Sequence, residues 1–230
     1  ENDYLSLTIS SIGAQITDAT LKEYTKYAPK DERNELVKLF DPQSAAFDMS
    51  FYLKDGLKNV KVQTLAHNFT LLPVVNEQDK QIATLRLPFK GGASIDFIYT
   101  LYNQKVEERD YMVEFDVRLN DIAPIMANQT SIGVAWSNRS YQNERSYKNE
   151  NMYTNLYYRH PGEVGIEDLG VSEGNKSENI STSVDWVAFK QQYFTAALIP
   201  QSVDFTYADL AYKTAPEKSG YIKEYSMVAA

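Results

Sequence analysis

The sequence has no cysteine. That absence excludes disulfides, thiolate metal sites and cysteine nucleophiles together. A chain of 230 residues needs no such staples, because a core of that size can hold a fold by itself. The composition fits a cytoplasm or a bacterial periplasm. Histidine is nearly missing too, with His67 and His160 the only two. No nucleophile elbow, zincin helix or EF-hand spacing occurs. No stretch approaches the roughly 20 consecutive apolar residues of a spanning helix. The chain opens Glu1-Asn2-Asp3, without an initiator methionine, a basic start or the apolar stretch of a signal peptide. The expectation is a soluble, monomeric segment excised from a longer protein. Basic charge is short: 23 Lys and Arg against 31 Asp and Glu give a net charge of -8. An acidic surface repels phosphate backbones, which excludes nucleic acid as a partner. It also argues against docking on anionic lipid by charge alone.

What is present reads as a β protein. Apolar residues are 43% and charged residues 23%, ordinary values for a soluble globular chain. Aromatics reach 13%, led by 17 tyrosines, which favours strands over a helical bundle. Strict alternation marks Leu5, Leu7 and Ile9, then Ile95, Phe97, Tyr99 and Leu101. The cleanest case places Tyr111, Val113, Phe115, Val117 and Leu119 opposite Glu114, Asp116 and Arg118. Ile132, Val134 and Trp136 form another stripe, as do Tyr221, Lys223, Tyr225 and Met227. Further strands are expected over 14–21, 36–41, 47–53, 81–89, 152–159, 202–209 and 210–213. Asp55-Gly56, Gly91-Gly92 and His160-Pro161-Gly162 read as turns. Residues 57–72 fit strand or helix, 138–151 fit a short surface helix, and 170–183 read as a surface loop. Many short strands between polar turns point to a sandwich or barrel. With no linker composition in view, one domain over 1–230 is expected.

The densest apolar run is Trp186 to Pro200. Its aromatic and β-branched ends suit a buried pleated surface, Lys190-Gln191-Gln192 divides it, and Pro200 closes it. Two core-lining strands with a kink or bulge between them are favoured over one buried helix. Trp186, Tyr193 and Phe194 are expected in the core rather than on a ligand platform.

Trp186, Gln191, Gln192, Tyr193, Phe194 and Pro200 stand at the spacing of a motif late in the large periplasmic domain of YidC-type membrane protein insertases, which the chain resembles. The family often has glycines just before the tryptophan, where Val184-Asp185 stand here. Ile12-Gly13-Ala14-Gln15-Ile16 with Leu21-Lys22-Glu23-Tyr24 resembles the opening strands of that domain, and 97–120 resembles its middle. The resemblance implies a β-supersandwich, two large packed antiparallel sheets akin to the galactose-mutarotase-like fold. It implies a continuation past Ala230 toward a membrane helix. It also implies the periplasmic side of the inner membrane, in a multi-pass parent. The function implied is non-catalytic: assisting insertion and folding of inner-membrane proteins through contacts with the Sec translocon, its accessory subunits and membrane-protein clients. The motif residues are then structural, and no catalytic, metal or cofactor residue is expected.

Other candidates weaken on inspection. A mutarotase-like acid and base would draw on His67 or His160 with Glu114 or Glu163, but nothing in the spacing supports it. Lys90-Gly91-Gly92 is a hairpin turn, not a phosphate loop. Glu163, Glu167, Asp168 and Glu173 lack alternating ligand spacing and read as a solvated face. Sequons at Asn68, Asn128, Asn138, Asn175 and Asn179 are silent in a bacterium. The competing reading is a secreted carbohydrate-binding or sugar-epimerase-like β-sandwich.

Overall fold

The computed structural model describes residues 1–29, 35–103, 110–171 and 174–230. In chain order the elements begin with β1 (Leu5–Ile9), β2 (Ile16–Thr25), β3 (Leu36–Lys38), β4 (Ala46–Asp55) and β5 (Lys58–Gln63). Next come β6 (Thr70–Leu71), β7 (Val75–Asn76), β8 (Lys80–Pro88), β9 (Ser94–Tyr102), β10 (Val113–Asn120) and β11 (Gly133–Tyr141). Helix α1 (Tyr147–Tyr153) precedes β12 (Asn155–Arg159), β13 (Glu167–Asp168), β14 (Asn175–Ile180) and β15 (Trp186–Lys190). The chain ends with β16 (Thr195–Leu198), β17 (Ala208–Thr214) and β18 (Tyr221–Ala229). The fold is all-β and mainly antiparallel. It packs as two compact units, one of 1–16 with 47–132 and one of 17–46 with 133–230.

The first unit centres on a sheet ordered β10-β9-β8-β6, with β7 also on β8. Register places Phe115 opposite Tyr99, Val117 opposite Phe97, and Leu85 opposite Phe97. Period-2 alternation therefore stacks these side chains on one face. Phe51 and Leu53 of β4 and Val62 of β5 pack in the same buried cluster. Phe97 and Phe115 meet edge to face at 5.1 Å, and Tyr99 stacks on Phe115 at 4.9 Å. The Tyr99 hydroxyl donates to Ala14 O at 2.6 Å, and burial pushes its pKa well up. Tyr111 precedes the pairing that starts at Val113 and is exposed; Leu119, paired with Ile95 near the strand's end, is exposed as well. On the other side of β9, buried Asp96 accepts two hydrogen bonds from Arg86 at 2.7 Å. Those bonds outweigh burial and hold its carboxyl below the usual range. Gly13 takes a positive φ beside Leu65, where an added Cβ would sit 3.1 Å from the Leu65 Cα. A side chain there would be strained by the positive φ and would crowd the Leu65 backbone.

The second unit is a sandwich. One sheet runs β14-β17-β18-β11, the other β13-β12-β15-β16. Phe189 of β15 joins them: it stacks on Trp136 of β11 at 3.9 Å and on Tyr225 of β18 at 4.7 Å. Leu156, paired with Phe189, is fully buried, as are Leu210 and Met227 of the facing sheet. Buried Asp41 binds Arg139, and β2 pairs with β3 in the same unit.

Three expectations change. Residues 175–180 are the strand β14, not loop, because β17 supplies backbone partners that its polar side chains do not advertise. Residues 152–153 end α1 rather than begin a strand; Ser146 caps that helix by accepting from Asn149 N. Residues 202–207 are irregular, with only Phe205 bridged to Val184. Residues 57–72 resolve into β5, a 3₁₀ turn at Thr64–Ala66 and β6.

Lys223 departs from the pattern of the strand it sits on. It shares the inward face of β18 with Tyr225 and Met227 and is wholly buried. Its ammonium donates to Thr214 Oγ1 at 3.2 Å and lies 4.0 Å from the Tyr212 ring centre. Burial lowers its pKa to about 8. The folded state thus holds this proton less tightly than the unfolded chain, and stability rises as pH climbs from about 8 toward about 10.4. Lys223→Met is expected to stabilise the chain by about 2 kcal/mol at pH 7 and to lose that advantage near pH 10.5. Urea midpoints at both pH values check this; an equal gain at both would acquit the ammonium.

Candidate functional site

The motif found in the sequence forms the connection between β15 and β16. Gln191 N donates to Phe194 O at 2.7 Å, which closes a four-residue turn. A hairpin turn therefore stands where a kink or bulge was expected. The backbone pairing of Phe189 with Ala196 and Lys190 with Thr195 rules out a single helix.

The turn rests on buried polar groups. Gln191 is 4% exposed and its Oε1 accepts from Asn143 Nδ2 at 2.5 Å. Asn143 N donates to Glu150 Oε1 at 3.0 Å, and Glu144 N donates to Glu150 Oε2 at 3.0 Å. Burial raises the Glu150 pKa against the pull of those two amides. Asn143 O accepts from Tyr27 N at 2.7 Å. These bonds hold Gln191 to the 143–150 segment, although Asn143 Oδ1 is itself buried and meets no donor among the described residues. Gln192 Oε1 is buried and meets no donor among the described residues. Phe194 packs edge to face on Tyr24 at 5.3 Å. Between these anchored neighbours Tyr193 is 70% exposed.

The expectation that Trp186, Tyr193 and Phe194 all lie in the core is therefore corrected. Trp186 and Phe194 are half-buried, Tyr193 is outside, and Phe189 is the aromatic that fills the core. Trp186 lies under the Arg159 guanidinium, which is paired with Asp185. Pro200 is half-buried two residues after β16. Val184 and Asp185, where the family often has glycines, are engaged: Val184 N donates to Phe205 O and Asp185 N to Arg159 O, each at 2.8 Å.

A groove lies in the first unit. Residues 125–127 run beside β4, with Lys54 N donating to Ile125 O and Ala127 N to Tyr52 O. The resulting groove of about 660 Å³ is lined by Lys54, Leu119, Asp121, Ile122, Met126 and Asn128, among others. Aliphatic and polar groups line it, and no aromatic ring among the described residues offers a sugar a stacking face.

The remaining candidates sit in local contacts, which for His67 and Glu163 are backbone bonds alone. His67 ends the 3₁₀ turn, its N donating to Thr64 O and its O accepting from Gly13 N. His160 lies against Tyr158 and near Ser183 O, in the other unit. Glu114 accepts from the Tyr102 hydroxyl at 2.9 Å. Glu163 is exposed, its N donating to His160 O across the turn. Asp168 accepts from Asn155 Nδ2 and Gly170 N; Glu173 lies outside the described residues. Among the described residues no group of three or more acidic or histidine side chains is placed to hold a metal. Asn138, one of the sequon asparagines, is buried and bonded to Leu39 O and Asp41 N, beyond the reach of a glycan. Among the described residues no helix is long and apolar enough to cross a membrane.

Comparison with known proteins supplies the context. A family model described as the YidC periplasmic domain matches residues 1–230. A membrane protein insertase YidC of Bacteroides fragilis is 30% identical over 227 residues, covering 98% of this chain and 33% of that protein. The insertase of Phocaeicola vulgatus gives the same identity and coverage. That of Porphyromonas gingivalis is 28% identical over 229 residues, covering 99% of this chain and 34% of its own length. The chain thus spans about a third of these relatives. With one periplasmic-domain model matched from end to end, on a fold of antiparallel strands, the chain belongs to the YidC periplasmic domain family.

Proposed function

We propose that the two units act as one non-catalytic periplasmic domain of a membrane insertase. It assists insertion and folding of inner-membrane proteins by holding partner proteins of the secretion machinery, the Sec translocon and its accessory subunits. The motif residues Trp186, Gln191, Gln192, Phe194 and Pro200 are structural in this reading, and Tyr193 is what they present. The observation that carries it is the contrast within the turn. Gln191 is locked to Asn143 beside buried Glu150, yet Tyr193 stands 70% exposed. An exposed tyrosine on a rigid turn loses little entropy on binding and suits a protein contact. The single family model across both units supports treating them as one domain.

A photoreactive amino acid in place of Tyr193 of the full-length insertase, in its own cells, is expected to crosslink to translocon subunits. The same group at exposed Met152 on α1 is expected to give at most a fifth of that yield. Equal yields at the two positions would remove the turn from the interface. Micromolar binding of one sugar by the purified chain would favour a carbohydrate-binding sandwich instead.

A further inference from the structure

The β4–β5 hairpin carries a charge pattern opposite to that of the whole chain. Its turn, Asp55-Gly56-Leu57, follows Gly56 at φ 61°, which places Leu57 at the apex with its side chain fully exposed. Lys54, Lys58 and Lys61 lie on the two strands behind it and are all exposed; Lys58 pairs opposite Asp55, the one acid between Tyr52 and Lys61. Strand pairing sets Lys61 opposite Tyr52 and Val60 opposite Leu53, so Tyr52, Lys54 and Lys61 share the hairpin's outer side. Tyr52 and Val60 are 45% and 47% exposed. The chain as a whole carries -8, so three lysines within eight residues are a local inversion.

We infer that this hairpin tip is a lipid contact, with Leu57 entering the headgroup layer of the anionic inner membrane and Lys54, Lys58 and Lys61 pairing with its phosphates. A single apical leucine is far smaller than the roughly 800 Å² a protein partner buries on each side of a stable interface. A bilayer interface accepts one apolar wedge backed by lysines, because the ammonium groups remain at headgroup level. The family places this chain on the periplasmic face of that membrane. The overall negative charge does not oppose the contact at close range, because charges more than about 10 Å from the lipid are screened at 0.1 M salt. Charge alone would not hold the chain there; the leucine adds the apolar part. The loop at Val164 is the internal contrast. Val164 is as exposed as Leu57, but its neighbours are Glu163 and Glu167.

The absence of cysteine permits a clean test on the 230-residue chain. Leu57→Cys and Val164→Cys are each labelled with an environment-sensitive fluorophore. Each is mixed at about 0.1 M salt with phosphatidylcholine vesicles that contain or lack about 30% phosphatidylglycerol. The label at 57 should brighten severalfold and shift to the blue only with the anionic vesicles, and the label at 164 should not change. Adding Lys58→Gln and Lys61→Gln should weaken partition about twenty-five-fold, roughly fivefold for each lysine near the surface. Co-flotation of the unlabelled chain, against Leu57→Ser, excludes a response driven by the dye. No shift at 57, equal shifts at 57 and 164, or flotation indifferent to the lysines and to Leu57 would each overturn the inference. Such a failure would leave the Tyr193 contact standing, since that reading is measured by crosslinking to protein.

Discussion

Phe189→Ala is expected to lower the stability of the second unit by about 3–5 kcal/mol, the range for emptying a buried aromatic site. The ring lies between Trp136 and Tyr225, nearly parallel to both, with interplanar angles of 15° and 8°. Those two rings belong to one sheet and Phe189 to the other. Its removal therefore opens a cavity at the contact between sheets, where a strand pair cannot shift without breaking its ladder. Stacking beyond simple burial adds about 0.5–1.5 kcal/mol for an aromatic pair. Phe189→Leu keeps most of the volume and should cost under about 1.5 kcal/mol beyond the lost stacking. Both tryptophans of the chain, Trp136 and Trp186, lie in this unit, so their fluorescence reports its unfolding directly. Urea titrations followed by that signal should place the alanine variant far below the leucine variant. If the two midpoints coincide, Phe189 does not join the sheets as described.

The position of Phe189 also shows how far the sequence could be read. Alternation exposed the strands that bury one face, because a buried face selects apolar residues at every second place. Phe97, Phe115 and Tyr225 were visible for that reason, and so was the strand character of Trp186 to Leu198. Strand β14 was not visible. It is held at a sheet edge by backbone pairing with β17, and of its six residues only Ile180 is buried. An edge strand needs little from its side chains, so its sequence resembles a loop. The motif was legible as a family signature, but its inward and outward residues were not separable. Burial of Gln191 and exposure of Tyr193 run against their polarity, and both follow from a turn closed by backbone atoms. Asn143 and Glu150, which anchor that turn, lie more than 40 positions earlier in a polar stretch. Only the folded chain brings them to Gln191. Lys223 was hidden differently: it occupied the correct face of a recognised strand, but a lysine gives no sequence sign of burial.

Asp41→Asn should destabilise the same unit by about 2–4 kcal/mol at pH 7, somewhat under the cost of orphaning a fully buried partner. Asp41 is 1% exposed and sits in the turn that leads from β3 to β4. Its Oδ2 accepts from Arg139 Nε at 2.9 Å and from Nη2 at 2.5 Å. Its Oδ1 accepts from Gln43 N at 3.2 Å and the Tyr141 hydroxyl at 3.1 Å. Burial works against the carboxylate, but Arg139 and the neighbouring donors prevail and hold the pKa below its ordinary value. The Arg139 side chain remains 27% exposed, so water partly relieves it when its partner is lost, which trims the penalty. Because the folded pKa lies below the unfolded value near 3.9, the stabilisation is complete above about pH 5 and is lost as pH falls through the folded pKa. The wild-type chain should therefore lose more stability than Asp41→Asn between pH 6 and about pH 3, and the two should converge in acid. Tryptophan-detected urea titrations at the two pH values measure both effects. Parallel loss in both chains would show that the carboxylate, though buried, is not what the Arg139 cluster depends on.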